Sequence, residues 1–255
     1  ILMKQAFLKI DKVIFFGKFL KIYKRISLKK TKDKLKKKHV NRSISFHSNK
    51  VNSLSRLCAK YGSDKGYVSF DEITPYFWKP RNYANYYFEM FDHCKKDFKL
   101  VFECGIGTNN ENLRSNMTRG GKPGASLRVW RDFFLNAEIF GADIDKDILF
   151  ESEKIKTFEV DQADKHSIKS MWEKIDRNNF DLIIDDGLHD FIGGVTFFKN
   201  SFSYLREGGV YIIEDVSNKY LNLITEELKD FMPKVIILET SLNIRTDNNL
   251  IIFRK

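Results

Sequence analysis

The stretch "FDLIIDDGLHDF", residues 180–191, is an apolar strand pattern that runs into two adjacent carboxylates, Asp185 and Asp186, with His189 three residues further on. An ionised acid beside such a strand is costly to desolvate unless something compensates it. The same pattern recurs along the chain: Glu103 lies at the end of "LVFEC", Asp143 ends "AEIFGAD", Asp161 follows "IKTFEV", and Glu214 and Asp215 close "GVYIIED". A single acid of this kind can serve simply as the cap of the next helix. Glu103, Asp186 and Asp215, however, end strands expected to be neighbours, and converging carboxylates repel unless a cation or proton joins them. A carboxylate set with open positions suits a hard divalent ion, magnesium or manganese. His189, in the loop after a central strand, has the titration range of a general base. Successive strand side chains face opposite ways. Asp186 is therefore the metal candidate, and Asp185 supports the loop.

The elements that must position these groups follow from periodicity. Leu54, Leu57, Cys58 and Tyr61 share one helical face that Gly62 ends, "YGSDKGY" is a polar turn, and "NYANYYFEMFDHC" is a second helix. A regular alternation then begins: strands at 100–104, 137–143, 155–160, 180–185 and 209–215, with helices around "SLRVWRDFF", "SIKSMWEKI", "VTFFKNSFSYL" and "YLNLITEELKDF". Such alternation implies a mostly parallel sheet, right-handed crossovers and helices on both faces. The closing strands "KVIILET" and "NLIIFRK" have no helix between them, which predicts a hairpin and an antiparallel edge strand. In this architecture ligands bind beyond the carboxyl ends of the strands. The connection "GIGTNNENLRSNMTRGGKPGA" is long for a structureless loop, and loops of that length are usually functional or disordered.

The 255 residues carry a net charge of +10, but residues 1–40 alone carry +12 and the remaining 215 carry −2. The basicity thus belongs to an N-terminal extension, assigned to residues 1–48, and the nearly neutral domain, assigned to 49–255, gives no general signal for nucleic acid. Lysines interrupt the apolar opening before it reaches the length of a membrane span, and no small-residue signal-cleavage pattern follows it. The extension reads as a basic amphipathic helix, suited either to the surface of an anionic membrane or to docking on the domain or on a second copy in a homo-oligomer. Cys58, Cys94 and Cys104 have neither CxxC spacing nor an even count, which points to a reducing cytoplasm rather than a disulfide or zinc scaffold. "GIGTNN" has two of the three glycines of a dinucleotide fingerprint, and Asp143 follows Gly105 by 38 residues, a poor match to an NAD site. The long loop leaves room for Asp143 to serve a ribose in a related nucleoside-binding fold.

The stretches "KYGSDKG", "FECGIG", "GASLRVWRDFF", "IFGADID", "DQAD", "IIDDGLHDF" and "GGVYIIEDV", in order over about 160 residues, resemble the S-adenosylmethionine-dependent sugar O-methyltransferases of macrolide and surface-polysaccharide pathways. The resemblance implies a Rossmann-like class I methyltransferase sheet and metal-assisted methyl transfer to a sugar hydroxyl. It implies Glu103, Asp186 and Asp215 as metal carboxylates and His189 as base. Tyr61, Gly62, Ser63, Gly105 and Ser126 would border the methionine part of the donor, Asp143 the ribose, and Asp161 with Gln162 the adenine; Glu103 and Asp185 would also border the donor. The implied acceptor is a nucleotide sugar or a capsule or lipopolysaccharide precursor. The alternatives are a non-sugar diol or phosphoramidate precursor and, from another class, nucleic-acid binding through the lysine-rich segment. Against that resemblance, the basic extension is expected to stand in the place of the N-terminal domain of the macrolide enzymes, and the long loop goes beyond their pattern.

Overall fold

The computed structural model describes residues 43–48, 50–69, 76, 78–238 and 247–255. The basic segment 1–42, with its proposed membrane or subunit contacts, lies outside them. In chain order the elements are β1 (Ser43–Phe46), α1 (Ser53–Tyr61), α2 (Tyr83–Phe91), β2 (Leu100–Cys104), α3 (Ala125–Phe133), β3 (Glu138–Asp143), β4 (Glu151–Ser152), β5 (Ile155–Glu159), α4 (Lys165–Ile175), β6 (Phe180–Asp185), α5 (Phe191–Ser201), β7 (Leu205–Ile213), α6 (Asn218–Glu227), β8 (Lys234–Leu238) and β9 (Asn249–Arg254), with short 3₁₀ turns between some of them.

The strands form one sheet in the order β1-β8-β9-β7-β6-β2-β3-β5-β4. The pairs β6–β7, β2–β6, β2–β3 and β3–β5 are parallel, as alternating strands and helices require. An antiparallel edge strand exists, but it is the short β4 against β5. The closing hairpin does something else: β9 runs antiparallel between β7 and β8 rather than along an edge. Its residues are buried along nearly their whole length, so the strand needs neighbours on both sides. β1 pairs in parallel with β8; the sheet thus takes in residues 43–46, which the sequence places in the extension.

Each face of the sheet carries its own apolar layer. Phe102, Phe140, Trp172, Phe197, Phe198 and Tyr211 pack on the side of α4, α5 and α6; Leu54, Tyr87, Val101, Trp130, Phe134 and Leu182 pack on the side of α1, α2 and α3. Burial in these layers is the main stabilising contribution. Local signals set the helix ends. Asn52 and Ser55 form a reciprocal capping box on α1, with Gly62 in the left-handed conformation at its other end. Asp164 caps α4, and Asp190 caps α5 by accepting the Gly193 N–H at 2.8 Å.

The contact between α1 and α3 is polar at its rim. Tyr61 and Lys60 donate to Asp132 Oδ2, and Arg131 donates to Asp132 Oδ1 at 2.9 Å. Burial alone would raise the Asp132 pKa, but the hydrogen bonds from Tyr61, Arg131 and Lys60 outweigh it and hold the carboxyl at about 2 instead of 3.8. A carboxyl depressed in the folded state contributes stability that is complete above its unfolded pKa and is lost as pH falls through the folded one. The stability difference between the native chain and Asp132→Asn is therefore expected to shrink between about pH 4 and pH 2, read from urea melts across that range; a pH-independent difference would contradict it.

Candidate active site

The carboxyl ends of β2, β6 and β7 meet at a cavity of about 450 Å³, and the Gly105–Gly107 turn forms one of its walls. This turn has to be glycine. Gly105 has φ +84°, and an added Cβ would lie 2.3 Å from the Asp186 carbonyl oxygen; Gly107 has φ +87°, and its Cβ would meet the Met117 sulfur at the same distance. The long loop accordingly folds back over the turn. Met117 N donates to Thr108 O, Asn109 donates to Gly121 O, and Arg114 pairs with Asp190 at 2.8 Å beside His189.

At the centre of the carboxylates stands a residue that the strand-end pattern does not contain. Lys65, 2 % exposed, sits on the turn after α1, with its Nζ 2.6 Å from Asp186 Oδ2, 2.6 Å from Glu214 Oε2 and 3.0 Å from Glu103 Oε1. Burial pulls its pKa down, but the charges of Asp186, Glu103 and Glu214 more than reverse this and hold the ammonium well above its ordinary value. Burial raises Glu103 and Glu214, with Lys65 as the main opposing charge. Trp130 Nε1 donates to Glu103 Oε2 at 2.8 Å, and the Tyr87 hydroxyl to Glu214 Oε1 at 2.6 Å. A second buried cation, Arg81, pairs with Asp215 and Asp247, and Tyr83 also donates to Asp215.

The carboxylates thereby separate into two groups. Asp186, His189 and Asp215 each offer a ligand atom, and these atoms lie within 4.8 Å of one another. Glu103, expected as the third metal carboxylate, is not in that group: its Oε1 pairs with Lys65 and its Oε2 accepts from Trp130. The Asp186 and Asp215 carboxylates, opening onto a cavity, fit a divalent ion with free coordination positions, and the His189 imidazole stands beside them.

The expected donor residues separate in the same way. Ser63, Gly105, Ser126, Asp143, Asp161 and Gln162 all line the cavity. Asp143 Oδ2 accepts the Ile106 N–H at 2.9 Å, which ties the end of β3 to the glycine turn. Asp161 Oδ1 accepts the Ala163 N–H at 2.9 Å. The Gln162 amide is committed to the loop after β6, donating to Asp185 Oδ1 at 2.5 Å and accepting the Leu188 N–H at 2.9 Å. Tyr61 and Gly62 do not reach the cavity: the tyrosine hydroxyl is held by Asp132 on α3, and Gly62 is the helix cap. Asp185 points to the α5 face, 2 % exposed, where burial pushes it up to about 7. His189 and Asp215 both have positive φ, +55° and +53°, a strained conformation of the kind that clusters at functional sites. Sequence reasoning missed Lys65, Arg81 and Tyr83. The available signal was charge balance, since strand-end acids gathered at one sheet edge need cations from somewhere.

No known family profile matches the chain. A solved structure of the MycE methyltransferase from the mycinamycin biosynthetic pathway, in complex with Mg and SAH, superposes with a TM-score of 0.56 at 23 % identity, covering 82 % of this chain and 56 % of that one. The fold is that of a Rossmann-like class I methyltransferase. In sequence, this methyltransferase fold resembles 8-demethyl-8-alpha-L-rhamnosyl tetracenomycin-C 2'-O-methyltransferase of Streptomyces olivaceus, 28 % identical over 67 % of the chain. It also resembles L-olivosyl-oleandolide 3-O-methyltransferase of Streptomyces antibioticus, 30 % identical over 68 % of the chain. The chain spans 39 % of the length of each of these relatives.

The ion cluster yields a direct expectation. Lys65→Met keeps an unbranched side chain but removes the only ammonium shared by Glu103 and Glu214 among the described residues. Leaving buried charges without their partner costs about 3–5 kcal/mol, to be read as a lowered urea midpoint at pH 7; unchanged stability would show that the cluster contributes nothing to folding.

Proposed function

We propose that this chain transfers a methyl group from S-adenosylmethionine to a sugar hydroxyl with the help of a divalent metal, magnesium or manganese. The observation that carries the reading is the meeting of the Asp186 and Asp215 carboxylates with the His189 imidazole, one atom of each within 4.8 Å of the others, beside a cavity walled by a glycine turn. The sugar O-methyltransferases among its relatives and the Mg and SAH bound in the structural neighbour support it.

In this reading Ser63, Gly105 and Ser126 border the methionine end of the donor, Asp143 the ribose and Asp161 the adenine. The acidic cavity favours a positively charged sulfonium. Asp186 and Asp215 hold the ion, which lowers the pKa of a sugar hydroxyl and orients it. The rest is positioning: an in-line displacement at a methyl group depends on holding the two reactants in a near-attack geometry. His189 takes the hydroxyl proton as the bond to carbon forms, and the thioether leaves without acid assistance. We extend the acceptor class to nucleotide-linked sugars or surface-polysaccharide precursors. We place the reaction in the cytoplasm, where the unpaired Cys58, Cys94 and Cys104 remain reduced.

The test is to incubate the protein with S-adenosylmethionine, Mg²⁺ or Mn²⁺ and a panel of nucleotide sugars, and to look by mass for the gain of one methyl group. His189→Ala is expected to lower turnover at least about 100-fold while S-adenosylhomocysteine still raises the melting temperature. Asp186→Asn and Asp215→Asn should lose the calorimetric heat of metal binding. Full turnover in excess chelator would overturn the metal role, and full turnover by His189→Ala the base.

A further inference from the structure

Behind the Asp186–His189–Asp215 group lies a second cavity of about 10 Å³, lined by Asp185, His189, Gly194, Ile213, Val216 and Ile224 together with Asp190 and Glu214. That is room for about one water. Two buried polar atoms of its lining have no hydrogen-bond partner among the protein groups: Asp185 Oδ2 and His189 Nδ1. Orphaned buried atoms are costly, and the other two acids of the lining cannot relieve them. Asp190 is taken by Arg114 and the Gly193 N–H, and Glu214 by Lys65 and Tyr87.

The surroundings hold both groups in place. Gln162 Nε2 fixes Asp185 Oδ1, so Oδ2 stays directed at Gly194, where an added Cβ would lie 3.9 Å from it. His189 is held at φ +55°, in the left-handed region that non-glycine residues seldom adopt. Gly194 is itself unexpected. It lies inside α5, where glycine is disfavoured, yet a methyl group there would meet nothing closer than Ile224 Cδ1 at 3.7 Å. Sterics do not demand glycine at this position, and since Gly194 lines the cavity a side chain there would take up part of that space.

We infer that Asp185 is a positioning residue for His189, joined to its Nδ1–H through one water in this cavity, so that Nε2 is the unprotonated nitrogen presented to the acceptor hydroxyl. The carboxylate fixes the tautomer and the ring plane, as outer partners of functional histidines do. The catalytic meaning of this arrangement rests on the methyl-transfer reading; the pairing itself does not.

The experiment is ¹⁵N NMR of the histidine rings in the full chain, free of metal and donor, with His189 assigned by the loss of its signals in His189→Gln. The native chain should show the Nδ1–H tautomer. Gly194→Ala, whose methyl displaces the water without a clash, should move His189 towards the Nε2–H form while the melting temperature stays the same or rises. Its kcat should fall about 10- to 100-fold with the donor KM unchanged. Asp185→Asn should shift the tautomer in the same direction; because it also disturbs Gln162, Gly194→Ala is the deciding variant. A native Nε2–H tautomer, or an Nδ1–H form that survives in both variants, would overturn the pairing. A shifted tautomer with unchanged kcat in Gly194→Ala would overturn the positioning role. Failure of the native chain to methylate any sugar would refute the methyl-transfer reading and leave the tautomer result to decide the pairing on its own.

Discussion

One buried ammonium holds the working edge of the sheet together. Parallel strands deliver their ends to the same place, and here three neighbours, β2, β6 and β7, deliver Glu103, Asp186 and Glu214. Without a counter-charge this arrangement would repel itself. Lys65 touches all three and comes from outside the sheet, on the turn after α1. Arg81 plays the same part for Asp215 from the segment before α2. The sheet supplies anions and the segment around α1 and α2 supplies cations, so each offsets the buried charge of the other. Five carboxylates, Glu103, Asp186, Glu214, Asp215 and Asp247, thus share these two cations.

The parallel order of the central strands was legible because each strand is an apolar run followed by an amphipathic helix, and that pattern has few topological solutions. The separation of Asp185 from Asp186 was legible for an equally simple reason, the period of two in a strand. The position of β9 was not. A hairpin in sequence is compatible with an edge or with insertion between two strands, and only the long-range pairing with β7 decides. Nor could β1 be read, since four residues inside a polar, basic stretch carry no strand period. At the site, Glu103 was placed with the metal because it ends a central strand. What pairs with it in the structure is Lys65, a lysine in a polar turn with nothing in its local sequence to mark it as buried. Tyr61 shows the same limit: a tyrosine beside a glycine turn can face the cavity or the next helix, and the choice rests on Asp132, 71 residues away.

Asp185 and Asp186 also show how much one reversal of side-chain direction can do. The two neighbours face different helical layers, one towards the cavity with Lys65 and the other towards α5 and the glycine inside it. His189, returning from the loop, is the only residue among those described that lines both spaces while also belonging to the Asp186–Asp215 group. Its left-handed backbone keeps it at that junction.

The insertion of β9 bears on the order in which the molecule matures. β7, which leads into Glu214 and Asp215, has β6 on one side but gains its other neighbour only when residues 249–254 arrive. Asn249, the first residue of β9, then clamps Val216 from both directions, accepting its N–H at 3.1 Å and donating to its carbonyl at 2.7 Å. Pairing across such sequence distances is slow relative to local structure. On a ribosome the glycine turn and β3 can therefore be in place while the acidic end of β7 still waits for its last strand, so that the cavity wall formed by the glycine turn takes shape before the wall that carries Glu214 and Asp215.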